Sequence, residues 1–246
     1  MKSPGHSDPC LCSACLGKPV VSPLLSLQDI GLVRDGRCVL DDINLTVDRG
    51  DFVAITGPNG GGKTTLLRII LGLIRPTSGK LVCYDEAGKP VARLPRPGYL
   101  PQKNSVDPHF PITVGEVVAS GLLAAGDMTK EEKKEKIERT LSLVQLCDLA
   151  RRPIGRLSGG QLQRTLFARA IVAEPPLLIL DEPMSYLDIN FEERLYDIIA
   201  ELSKKATVLL VSHQMNRLGA MANRHVIVDH TLRECTHRHH YCPPEC

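Results

Sequence analysis

Tryptophan is absent from this 246-residue chain, and aromatic residues of all kinds make up only 4% of it. A chain so poor in flat side chains has little with which to build base-stacking platforms for single-stranded nucleic acid. The formal net charge is +2, so the basic footprint of a nucleic-acid-binding protein is missing as well, and no nucleic-acid partner is expected. No uncharged apolar run approaches the roughly 18 residues that a membrane span needs. The N-terminal MKSPGHSDPCLCSAC lacks the apolar stretch of a secretory signal, which places the protein in the cytoplasm by expectation. Without an export signal, nine cysteines are better read as reduced thiols or as thiolates on a metal than as a disulfide framework.

What remains is an ordinary balance of 43% hydrophobic and 24% charged residues, enough for a core of normal size. Residues 1–23, rich in Pro, Gly, Ser and Cys, read as a flexible leader. Strand-like segments follow at 24–32, 39–47 and 51–56, and the last runs through a Gly-rich turn into an apolar helix over 64–73. Residues 103–157 differ in character. Helices are predicted at 113–123 and 130–146, the second opened by Thr129 and Glu132 at capping-box spacing, with Ile137, Leu141 and Val144 on one face. Strands at 177–180 and 207–211 then alternate with helices at 161–172 and 192–204, which predicts a largely parallel sheet with helices on its faces. The fold class is therefore α/β: a core domain over 24–230, an inserted helical lobe at about 103–157, and a His/Cys-rich tail over 231–246.

The run Gly57-Pro58-Asn59-Gly60-Gly61-Gly62-Lys63-Thr64-Thr65 has the spacing G-x-x-x-x-G-K-[ST] of a phosphate-binding loop. Its glycines let backbone N–H groups approach phosphate oxygens, and the helix that follows offers the positive end of its dipole. Lys63 is the candidate for the β- and γ-phosphates and the Thr64 hydroxyl for Mg²⁺. The apolar strand Leu177–Leu180 ends in Asp181 and Glu182. Asp181 is placed to hold the Mg²⁺ shell, and Glu182 to act as the base that polarises an attacking water. Ser158-Gly159-Gly160-Gln161 opens a further helix and forms a second anion-binding start, unless Ser158 is simply its N-cap.

These motifs, with Gln102 in Tyr99-Leu-Pro-Gln102, the Ser185-Tyr-Leu-Asp188 turn and Ser212-His213, stand in the order found in ABC ATPases, and the chain resembles that family over about residues 24–230. The resemblance implies a P-loop NTPase core of the ABC type and ATP hydrolysis with Mg²⁺. It also implies a head-to-tail homodimer in which Ser158 and Gly160 of one subunit act on the nucleotide held by the other. Gln102 would join the Mg²⁺ and water site, His213 would contact the γ-phosphate, and Asp188 would link the two sites. Alignment puts Arg34 where the family usually has an aromatic residue for adenine; a planar guanidinium can also stack on a base.

The segment Pro101–Val114, the stretch Gln161–Ala170 and the Ser185–Asp188 turn resemble the zinc, manganese and iron importer branch. That implies a membrane permease, an extracytoplasmic metal-binding protein, and a place on the cytoplasmic face of the membrane. A siderophore or exported cargo remains open, as does a soluble role at a ribosome or an iron–sulfur scaffold. Separately, Cys235, His237, His239, His240, Cys242 and Cys246 present thiolate and imidazole ligands suited to Zn²⁺, and Cys10, Cys12 and Cys15 add more in the leader.

Overall fold

The structure is a computed structural model, and it describes residues 22–94, 96–102, 107, 109–123, 125–212 and 218–235. Two sheets organise it. Strands β1 (Pro23–Arg34), β2 (Arg37–Asp48), β4 (Ser78–Tyr84) and β5 (Pro90–Val91) form an antiparallel sheet in the order β2-β1-β4-β5. The second sheet runs β10 (Thr231–Cys235), β9 (Arg224–Asp229), β3 (Phe52–Thr56), β8 (Thr207–Val211), β7 (Leu177–Asp181), β6 (Gly98–Leu100), parallel throughout except for the β9–β10 hairpin.

Side-chain alternation explains why the second sheet is covered on both faces. Leu178, Leu180, Val208 and Leu210 point into one core, with Phe167 and Leu166 of α4 (Gly159–Ile171) and Leu195 of α5 (Ile189–Ser203). Their neighbours Leu177, Ile179, Leu209 and Val211 point into the other, against Leu66, Leu67, Ile69 and Ile70 of α1 (Lys63–Ile70) and the antiparallel sheet. Strands buried on both faces have no polar side, which is why β7 and β8 read as continuous apolar runs.

Helices α2 (Val114–Ser120) and α3 (Lys130–Leu143) lie between β6 and α4 in the chain and pack on α4. Both open with complete capping boxes. At α3 the Glu132 backbone N–H donates to Thr129 Oγ1 at 3.2 Å, and the Thr129 N–H donates to Glu132 Oε2 at 2.7 Å. Leu141 and Val144 are buried with Ile137 beside them, the face expected from the sequence. Helix α6 (Leu218–Met221) precedes β9.

Two features depart from expectation. The first strands do not join the parallel sheet but build their own antiparallel layer, opened by a β1–β2 hairpin whose local signal is the two-residue Asp35-Gly36 turn with both residues at positive φ. The sequence boundary at residue 230 also falls inside a hairpin, since Thr231–Cys235 continues the sheet as its edge strand. Arg224 pins that strand, donating to both Glu234 carboxylate oxygens at 2.7 and 2.9 Å and to Asp51 Oδ2 at 2.8 Å. These bonds raise the pKa of the guanidinium further above its ordinary value, with Glu234 the larger influence.

Candidate functional site: a phosphate loop at the carboxyl end of the sheet

Strand β3 delivers the chain to Gly57 at the carboxyl end of the parallel sheet, the edge where open α/β sheets place ligands. Gly57 has φ 137°, and a Cβ there would lie 2.0 Å from the Val228 carbonyl oxygen of β9. The loop therefore rests directly on β9, and the His230 N–H donating to the Gly61 carbonyl at 2.9 Å holds it there. Gly62, at φ 97°, ends the loop and caps α1 with no side-chain hydrogen bond.

A cavity of about 160 Å³ opens above this turn, lined among others by Lys63, Thr64, Gln102, Asp181 and Glu182. The Lys63 ammonium donates to the carbonyls of Gly57 and Pro58, each at 2.8 Å. Burial lowers its pKa, and the carboxylates of Glu182 and Asp181 partly oppose that. The Thr64 hydroxyl donates to Asp181 Oδ2 at 2.8 Å, and Asp181 is fully buried. Glu182 follows at φ 54°, its backbone N–H donating to the Val211 carbonyl at 3.0 Å. The strained turn carries its side chain out of the strand and into the cavity.

This donor set fits its expected guests. A hydroxyl and a buried carboxylate in direct contact are hard oxygen ligands, as Mg²⁺ requires. A lysine held by two loop carbonyls beside an uncapped helix start is a phosphate cradle.

The second predicted anion site lies elsewhere. Ser158, Gly159, Gly160 and Gln161 do not line this cavity. The Gln161 N–H donates to Ser158 Oγ at 3.2 Å, and the Ser158 N–H donates to Gln161 Oε1 at 3.1 Å. Ser158 is thus the N-cap of α4, on a turn left exposed at Ser158 and Gly159. Asp188 caps α5, accepting from the Phe191 N–H at 3.0 Å, and takes an ion pair from Arg164 at 2.8 Å. Accepting that backbone bond is the main reason its pKa is lowered. Arg34 stands exposed at the end of β1 beside Asp35 and does not line the cavity. His213, Cys10, Cys12, Cys15, His237, His239, His240, Cys242 and Cys246 lie outside the described residues, whereas Cys235 ends β10.

Sequence reasoning missed the ties between these parts. Gln163, 1% exposed on α4, donates to the Pro183 carbonyl at 3.3 Å, joining the helix to the chain just past Glu182. Arg164 lies over the Phe191 ring at 4.2 Å while it pairs with Asp188. Only the register of α4, with Gln163 and Arg164 following Ser158-Gly-Gly-Gln, hinted at either.

Comparison with known proteins decides the family. The ABC transporter family profile matches residues 40–185. The chain belongs to the ABC transporter family. It is 36% identical over 213 residues to the zinc uptake system ATP-binding protein ZurA of Listeria innocua, covering 84% of this chain and 82% of that one. It is 37% identical over 203 residues to the zinc import ATP-binding protein ZnuC of Pasteurella multocida, covering 82% and 71%. Among solved structures it is similar to a dimeric ATP-binding cassette in a post-hydrolysis state bound to ADP and Pi. That likeness has a TM-score of 0.75 and 28% identity, covering 88% of this chain and all of the other. The ABC chain is thus an ATP-binding, ATP-hydrolysing subunit, and no described helix is long and apolar enough to cross a membrane.

Proposed function

We propose that this ABC ATPase energises import of a divalent metal ion, zinc or manganese, through a separate membrane permease on whose cytoplasmic face it sits. An extracytoplasmic metal-binding protein would deliver the ion. The cargo rests on relatives named for zinc uptake and import. The observation that carries the motor reading is that Lys63, Thr64, Gln102, Asp181 and Glu182 line one and the same cavity.

In this reading the loop Gly57–Thr65 wraps the phosphates and Lys63 leaves its two carbonyls to neutralise the β- and γ-phosphoryl oxygens. Thr64, Asp181 and Gln102 hold Mg²⁺, which when bound supplies positive charge to the transferring phosphoryl group. Glu182 accepts a hydrogen bond from the attacking water, with His213 as its partner at the γ-phosphate. Arg34 is assigned to the base. Ser158, Gly159, Gly160 and Gln161 act in trans: two subunits associate head to tail, and Asp188 links their sites. A dimer accounts for the position of Ser158–Gln161, which do not line the cavity of their own chain.

The test is metal uptake in cells carrying the intact chain or Glu182→Gln. Uptake and ATP turnover should both fall by about 100-fold or more, the scale of losing a general base. Turnover that survives the substitution would show that another group activates the water. Turnover lost with metal uptake intact would separate the ATPase from the transport assigned to it.

A further inference from the structure

Glu182 leaves β7 at φ 54°, in the left-handed region, which a residue other than glycine holds only when its surroundings over-determine it. On the N-terminal side the hold is the bond from the Glu182 N–H to the Val211 carbonyl of β8. On the C-terminal side the Ser185 N–H donates to the Glu182 carbonyl at 3.3 Å, and helix α4 supplies the rest. The Gln163 carboxamide donates to the Pro183 carbonyl at 3.3 Å and reaches the Glu182 carbonyl at 3.5 Å. Gln163 and Pro183 are both buried, and a bond between buried groups is not given up without cost. Gly160, Gln163 and Arg164 stand at i, i+3 and i+4 of α4, hence on one face. A Cβ at Gly160 would lie 2.8 Å from the Tyr186 carbonyl, and Arg164 pairs with Asp188 at 2.8 Å. The chain from Glu182 to Asp188 is thus laid along the first turns of α4, with Gln163 holding the end nearer Glu182.

We propose that Gln163 is a positioning residue for ATP hydrolysis: its carboxamide fixes the peptide after Glu182 and so aims the Glu182 carboxylate at the attacking water. This rests on the reading of Glu182 as the base. Gln163 does not line the cavity, so it can reach the reaction only through the turn it holds. An amide suits the place because its N–H groups donate to carbonyl oxygens without carrying a charge into the interior. A carboxylate there would face those oxygens with like partial charge, and an apolar side chain would fill the space without holding them. The hold matters because a base misplaced by about 1 Å can cost about 100-fold in rate.

The experiment is a double-mutant cycle on the full chain: the parent, Gln163→Met, Glu182→Gln and the double variant. Methionine matches glutamine in length and lacks the donor. Phosphate release is followed in incubations long enough to register the slow variants, and ATP binding is titrated separately. Gln163→Met should lower kcat by at least about ten-fold and leave ATP affinity within about two-fold of the parent. In the Glu182→Gln background the same substitution should change the residual turnover by less than about two-fold, because the group it positions is already gone. A further ten-fold loss in the double variant would mean damage that does not act through Glu182, and it overturns the proposal. An unchanged kcat in Gln163→Met overturns it as well. Thermal unfolding checks that each variant is folded at the assay temperature. Should methionine fail there, Gln163→Asn, which draws the amide back from the carbonyls on a shorter arm, takes its place in both backgrounds with the same expectations. Turnover that survives Glu182→Gln refutes the reading of the base, whereas turnover lost in Glu182→Gln and intact in Gln163→Met refutes this inference alone.

Discussion

Two helices of this molecule begin with glycine-rich turns that look alike in sequence and differ in how their first N–H groups are satisfied. At α1 the cap is Gly62 in the left-handed region, with no side chain returning to the backbone. At α4 the cap is Ser158, and a reciprocal pair of bonds with Gln161 closes the turn on itself. The first start needs a ligand, and Lys63 stands over it. At the second the pair closes the Ser158 and Gln161 N–H groups and does not include those of Gly159 and Gly160, which in the proposed dimer would meet the partner's nucleotide. In the proposed head-to-tail dimer the open start would hold the nucleotide in cis and the self-capped start would meet it in trans.

The sharpest way to break the contrast is to remove the lysine. Lys63→Ala should lower ATP turnover by at least about 100-fold and weaken binding by the single chain, because a desolvated charge aimed at phosphate has no substitute. Gln161→Ala should leave single-chain ATP binding within about two-fold. Equal losses of ATP binding in the two variants, measured by titration at concentrations where the chain is monomeric, would mean that both starts serve one nucleotide in cis.

Glycine replacement sharpens the comparison through folding. Gly57→Ala drives a methyl group to 2.0 Å from the Val228 carbonyl and demands φ 137° of an L-residue, so about 2 kcal/mol or more of stability should be lost. Gly159→Ala meets the Tyr186 side chain at 3.5–3.7 Å, ordinary contact, inside a helix that favours alanine. Its stability should stay within about 0.5 kcal/mol of the parent or rise. Denaturant unfolding of both variants reads the difference.

These contrasts also show what was legible. Apolar strands entirely buried in the sheet, such as Thr207–Val211, were read to the residue because no polar face interrupts them. The α3 capping box was equally plain, since its two halves lie three residues apart. The phosphate loop, Asp181 and Glu182 could be placed at strand ends from motif spacing and the apolar runs that precede them. What could not be read was separation in sequence turned into contact in space. The Val228 carbonyl beneath Gly57, the Thr64–Asp181 bond, and Arg224 gathering Asp51 and Glu234 each join distant segments. The β9–β10 hairpin was missed for a related reason: an exposed edge strand of Thr-Leu-Arg-Glu-Cys carries no continuous apolar signal.

Ser158 separates cap from ligand. Ser158→Ala removes the acceptor for the Gln161 N–H and should cost about 1 kcal/mol. Ser158→Asp keeps an N-cap and should hold stability, while its charge opposes a phosphate approaching from the partner, so turnover should fall further than in the alanine variant. A turnover ranking that followed stability instead would make this turn a structural cap and nothing more.

The smallest effect distinguishes the capping boxes by chemistry. At α2 and α3 the third position is Glu116 and Glu132, and each carboxylate has a lowered pKa because it accepts backbone and hydroxyl hydrogen bonds from its capping threonine. At α4 that position is Gln161, which does not titrate. A carboxylate with a depressed folded pKa stabilises the fold fully above its unfolded pKa, and loses that contribution as pH falls through the folded value. Acidification should therefore loosen the starts of α2 and α3 before that of α4. Glu132→Gln should flatten part of the acid limb of the stability curve, a shift readable by amide hydrogen exchange at the first turn of α3. Gln161→Glu should import the same acid sensitivity into α4 and, in the proposed dimer, set a negative charge facing the partner's phosphate, lowering turnover at neutral pH but less so as the carboxylate is protonated. A self-capped start whose closing side chain is neutral can open to an anion without first expelling a charge, which is what the proposed trans role asks of Gln161 and nothing asks of Glu116 or Glu132.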